Sequence, residues 1–176
     1  MFDKGDFYVN LIYKDNFIQG IIKGNLPKEV ISQYLKADNI YLNNFSDIYA
    51  VLISKTKEQK LKKFFLSQIN FIIEKEVIGA HKYFADYLGK NYSDIIKDGK
   101  WYPSVDHHIK HIYYNLYKYR MVETLSATLA CPWIYKKVAE KILENHKLII
   151  IIHLKNGLNF IMVLYVMNVL KIMCIL

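Results

Sequence analysis

From Ala37 to Leu52 the apolar and aromatic residues Ile40, Tyr41, Phe45, Ile48 and Leu52 recur at intervals of three and four. That interval lays a stripe along one side of an α-helix, whereas a sheet needs alternation by two. A second run from Glu58 to Leu88 carries Leu61, Phe65, Ile69, Ile72 and Ile73 and then, less regularly, Phe84 and Leu88. It is too long for one strand, with Gly79 placed to bend it and Gly89 placed to cap it. Pro27 ahead of Lys28-Glu29 suits the first turn of a separate helix through Tyr34 and Leu35. The glycine, aspartate and proline between Asn91 and Pro103 predict a loop with a short helical turn around Ile95-Ile96. Ser104 is the expected N-cap of the next helix, which runs to about Thr128 with a break near Arg120, and Pro132 opens another that runs to about His146. No segment alternates like a strand. The expected fold class is all-α, an antiparallel helical bundle, and 176 residues with 53% hydrophobic content suffice for one core.

The formal charge of +8 excludes less than its size suggests. The positive charge is spread along the chain and is almost all lysine, with Arg120 as the one arginine. Phosphate and nucleic-acid readers use the bidentate guanidinium fork, so these lysines read as solvated faces and no nucleic-acid partner is expected. Fifteen tyrosines suggest a cavity walled by rings with polar tips. Cys131 and Cys174 make neither a disulfide framework nor a paired-cysteine zinc site, and the acidic start Met1-Phe2-Asp3-Lys4-Gly5-Asp6 is unlike an export signal. A cytoplasmic location follows as the expectation. Beyond Glu144 no acid occurs up to Leu176, and Ile, Leu, Met and Val dominate. The chain therefore divides into a helical domain over residues 1–148 and a divergent apolar tail over residues 149–176. Three readings of that tail stand: a buried helix, a tail anchor, which Asn168 and Lys171 argue against, or a non-native reading frame.

Two constellations carry chemistry. In Leu129-Ala130-Cys131-Pro132-Trp133-Ile134-Tyr135 a cysteine lies just before a proline-started helix, whose positive end favours a thiolate, and Tyr135 four residues on shares its face. A buried structural cysteine beside a core aromatic accounts for the same pattern. In Asp38-Asn39-Ile40-Tyr41, Asp38 and Tyr41 share a face that is otherwise apolar through Phe45 and Ile48. The carboxylate there needs a partner, either a neighbouring lysine or the amine of a bound ring. His107 and His111 stand at metal-ligand spacing, but two histidines without further ligands more often make a solvated or pocket-lining face, and no metal site is expected. The Glu-x-x-His pairs of a di-iron bundle do not occur.

These stretches, in this order, resemble the thiaminase II (TenA) family. Phe17-Ile18-Gln19-Gly20 through Gly24-Asn25-Leu26-Pro27 looks like its opening turn, and Tyr34 to Leu42 like its aspartate helix. Glu76 with His81, Phe84, Ala85 and Leu88 is similar to its glutamate-histidine helix at a spacing one residue longer, and Leu125 to Tyr135 matches the cysteine motif. The likeness covers roughly residues 17 to 147, and the Cys-Pro-Trp-x-Tyr run is its most specific part. It implies a haem-oxygenase-like helical bundle, a homo-oligomer (a tetramer in this family), and a hydrolase that needs neither metal nor cofactor. The substrate it implies is thiamin or aminomethyl-aminopyrimidine, cleaved to hydroxymethylpyrimidine for thiamin salvage. By the same likeness Cys131 is the nucleophile, Asp38 holds the ring's amino group, and Tyr41 and Tyr135 position ring and thiolate. The family's ring-stacking tyrosine has Tyr113, Tyr114 and Ile112 as rival occupants here. The family also continues past this chain's last residue and draws a general acid-base glutamate from its last helix. The competing expectation is therefore a catalytically incomplete pyrimidine-binding or structural helical protein.

Overall fold

The computed structural model describes residues 2–99 and 101–145, and every regular element among them is helical. The apolar tail and Cys174 lie outside the described residues, and with them the three readings drawn for that tail. Among the described residues no helix is long and apolar enough to cross a membrane. The described residues divide into two compact units, one made of those up to Lys28 together with those from Ala130 to Asn145, the other of Glu29–Leu129.

The first unit holds α1 (Phe2–Tyr13), α2 (Asn16–Lys23) and α9 (Ala130–Asn145). Asp15 caps α2, its carboxylate accepting the Phe17 N–H at 2.8 Å, and Gly24 ends the helix in the left-handed region at φ 66°. Helix α1 packs on α9, and Val9, Ile22, Val138 and Ala139 are buried. A Cβ at Gly5 would stand 2.5 Å from the Trp133 ring, so the glycine is what lets the indole of the cysteine motif lie against the α1 backbone.

The second unit is organised on α3 (Lys28–Lys55), a 28-residue helix. It replaces the two helices that the sequence predicted. No glycine or proline interrupts it, and the buried positions Ile31, Leu35, Leu42, Phe45, Ile48, Tyr49 and Leu52 form one continuous stripe. The chain then runs through α4 (Gln59–Phe71), a π-helical segment (Ile72–His81) and α5 (Lys82–Leu88), which Gly89 closes at φ 67° as its position predicted. The irregularity expected at Gly79 takes the form of this wider winding, which begins at Ile72. A run of i→i+5 bonds takes up extra residue length and shifts the register of everything after it. This arm lies antiparallel to α3, with Tyr49 stacked on Phe65 at a centroid distance of 6.0 Å and Asp38 reaching His81 further along.

The short helix α6 (Tyr92–Ile96) is the turn expected around Ile95-Ile96, and α7 (Pro103–Lys118) and α8 (Met121–Thr128) follow with a break at Tyr119-Arg120. Helix α7 starts one residue before the expected cap. Tyr102 takes the cap position and Pro103 the first turn, where a missing N–H costs nothing. Along α3, α7 runs in the same direction. Tyr41 faces His108 near its start, and the Lys55 ammonium bonds the Leu116 carbonyl near its end.

Candidate active site

Asp38 stands on the buried stripe of α3, yet it is not an orphaned charge. Its Oδ2 accepts the Tyr34 hydroxyl at 3.0 Å and meets His81 Nε2 at 2.9 Å. Tyr34 lies one helical turn before Asp38, and His81 is delivered by the last residue of the π-helical segment. The Asp38 and His81 side chains are 17% and 3% exposed, so the pair is shielded and directional, unlike a surface ion pair. His81 Nδ1 in turn meets the Tyr92 hydroxyl at 2.9 Å, and that hydroxyl donates to Asn39 Oδ1 at 3.0 Å. Burial pushes the Tyr92 phenol well above its ordinary range, with the Asp38 charge adding to it, so Tyr92 keeps its proton. Tyr34 edges the imidazole at 6.1 Å and Tyr92 tilts over it at 5.5 Å. The result is a carboxylate fixed through one oxygen by a buried chain of hydrogen bonds.

Asp38 and Tyr41 do share the α3 face that their spacing predicted. Tyr41 packs on Phe45 at 4.8 Å, and it also lies against His108 of α7 at 6.0 Å. Of the rival tyrosines, Tyr113 stacks on Tyr117 at 6.2 Å, and Tyr114, half exposed, meets Tyr119 edge-on. Ile112 is fully buried. Burial lowers the His108 pKa, and the neighbouring His111 and His107 lower it further. Its Nε2 is buried with no hydrogen-bond partner among the described residues. His107 and His111 are exposed, and no group of three or more His, Cys, Asp or Glu among the described residues could hold a metal.

In the first unit Cys131 is the second residue of α9, inside the first turn and not just ahead of the helix as the sequence predicted, because the helix starts at Ala130, two residues before Pro132, and it is half-buried. Tyr135, on the same face one turn later, is 36% exposed, while Pro132 is buried beneath the turn. The first-turn N–H groups of a helix have no partners within it, and their dipoles favour a negative group placed there. The Glu76 side chain falls outside the described part of the chain.

Sequence reasoning missed Tyr34, Asn39, Tyr92 and His108. Tyr34 had a usable signal, since a tyrosine four residues before an aspartate on a helix can reach its carboxylate. His108 was seen only as part of a histidine run, and nothing local to Tyr92 reports a partner eleven residues before it.

The chain matches the model of the TENA/THI-4/PQQC family over residues 3–153. It is 42% identical over 141 residues to the aminopyrimidine aminohydrolase of Staphylococcus carnosus, an alignment covering 80% of this chain and 61% of the relative. The aminopyrimidine aminohydrolases of Staphylococcus saprophyticus and Staphylococcus aureus are 43% and 40% identical, again over 80% of this chain and 61% of theirs. The chain thus spans about three-fifths of the length of these relatives.

Proposed function

Because the chain belongs to the TENA/THI-4/PQQC family, we propose that it contributes an aminopyrimidine hydrolase activity, converting aminomethyl-aminopyrimidine, or thiamin itself, to hydroxymethylpyrimidine. The observation that carries this reading is Asp38, a carboxylate on an aromatic face with one oxygen already tied by Tyr34 and His81. A flat, neutral ring bearing an amine asks for ring walls and one oriented acceptor, and a basic patch would do nothing for it.

In the proposed reaction Asp38 accepts a hydrogen bond from the ring amine, and Tyr41 and His108 supply ring surface for the pyrimidine. Tyr135 orients the thiolate of Cys131. The Cys131 sulfur adds to the electron-poor ring, and the electron pair so released expels the amine from the methylene carbon as that amine takes up a proton. Water then adds to the exposed methylene, loses a proton, and the ring returns its electrons to the departing sulfur. The net change is hydrolysis, with no oxidant or reductant. A homo-oligomeric, cytoplasmic enzyme without metal or cofactor is the form in which we expect it to act.

The test is incubation with aminomethyl-aminopyrimidine, following hydroxymethylpyrimidine and ammonia. The expected result is turnover that Cys131→Ala abolishes while the helical circular-dichroism spectrum is unchanged. Full turnover in that variant rejects the nucleophile. Ligand binding by the unmutated protein without turnover would favour the non-catalytic pyrimidine binder.

A further inference from the structure

We infer that His81, Tyr92 and Asn39 form a positioning chain that keeps a proton on His81 Nε2, between the imidazole and Asp38 Oδ2, so that Asp38 meets its ligand through Oδ1 alone. This rests on the reading of Asp38 as the carboxylate that binds the substrate's ring amine.

Counting protons carries the argument. Both described bonds of the Asp38 carboxylate fall on Oδ2, from Tyr34 and from His81. Tyr34 spends its single hydroxyl proton there, so the contact with Nε2 needs a proton of its own. Tyr92 is held neutral by burial and has one proton to give. If it gives that proton to Asn39 Oδ1, Nδ1 must donate to Tyr92, and Nε2 must carry a second proton to meet the carboxylate. If the Asn39 amide is turned so that its NH2 faces the phenol, Tyr92 donates to Nδ1, and the imidazole's single proton sits on Nε2. Either amide orientation leaves an N–H aimed at Oδ2 and a carboxylate with one oxygen open. That is a single acceptor of fixed direction, suited to one exocyclic amine and not to a bidentate cation such as a guanidinium.

His81 touches no ligand in this scheme and acts through Asp38. The specificity it confers is for rings that carry a donor where Oδ1 points, against the same ring bearing an oxo group. A buried acceptor left facing another acceptor is penalised far more than a merely lost contact.

Two measurements test it on the full chain. In a long-range 1H–15N spectrum of the 15N-labelled protein, the His81 resonances, assigned by their loss in His81→Gln, should show a protonated Nε2. A neutral ring protonated only at Nδ1 overturns the inference, because Asp38 would then have to be the donor. This readout needs no turnover, so a protein that fails to hydrolyse aminomethyl-aminopyrimidine sinks the functional reading and leaves this one to be judged by the spectrum. In kinetics or binding, His81→Ala should raise KM or Kd for aminomethyl-aminopyrimidine about tenfold with a smaller change in kcat, and His81→Gln, which keeps an N–H near the Nε2 position, should recover most of the loss. The analogue with an oxo group in place of the ring amine should bind weakly and equally to both proteins, since His81 has nothing left to position. Equal losses for the two ligands overturn the inference, and so does an unchanged affinity in His81→Ala. If His81→Ala folds poorly, Tyr92→Phe supplies the same comparison with one oxygen removed.

Discussion

Along its C-terminal half α3 turns Leu42, Phe45, Ile48, Tyr49 and Leu52 into the core, all nearly closed to solvent, whereas along its N-terminal half the same stripe passes through Asp38. The first half is held by area removed from water, which is indifferent to direction. The second also buries Ile31 and Leu35, but at Asp38 it is held in addition by Tyr34, His81, Tyr92 and Asn39, whose bonds fix angles as well as distances. One helix thus carries a region that secures the fold and a region that spends polar burial on orienting a single carboxylate. The lesson is that the Asp38 end is built to be specific, and the Leu52 end to be stable.

The sharpest way to break this contrast is Leu52→Ala. Leu52 is fully buried, and its truncation should cost about 2–5 kcal/mol in urea unfolding while leaving KM of the still-folded protein unchanged. A raised KM would show that the two halves are not separable. Tyr92→Phe probes the other half. It should cost only about 1 kcal/mol in the same experiment, yet weaken ligand binding, because it frees His81 to rotate. His108, opposite Tyr41 where the halves meet, gives a smaller, pH-dependent effect. Its folded pKa is lowered from 6.5 by burial first, then by His111 and His107. Below that value the unfolded chain takes up the proton before the folded one does. The His108 contribution is therefore whole above pH 6.5 and declines as the pH falls toward the folded value. His108→Phe should flatten the fall in unfolding midpoint over that window, and an identical slope would remove His108 as its source. Lys110→Ala, which deletes an ion pair to Asp106 from a side chain 74% exposed, should leave the unfolding midpoint and KM where they were.

What could be read from the chain follows the same division. The apolar spacing over Ala37–Leu52 and Glu58–Leu88, the Gly89 cap and the break near Arg120 all returned as helical elements where they were expected. Each is a local signal, written within one or two turns. The helix predicted from Pro27 through Leu35 and the one predicted from Ala37 are a single helix in α3, since nothing between Leu35 and Ala37 breaks a helix. The π winding from Ile72 to His81 had a faint trace, in the one-residue lengthening between Glu76 and His81 relative to the family pattern, and it was visible only once a register was in hand.

By itself the sequence determined that this chain is helical and that Phe45, Ile48 and Leu52 line the α3 core, and it singled out Asp38, Tyr41, Cys131 and Tyr135 as candidates, because periodicity and motif spacing are properties of neighbours along the chain. Only the tertiary structure decided that Asp38 is tied through Oδ2 to a histidine 43 residues away, and that His108 is the ring set against Tyr41. Hydrogen bonds and ring contacts across helices depend on where two separate elements are brought side by side, and no local rule records that. A carboxylate on an apolar face announces that it must have partners, and folding chooses which ones.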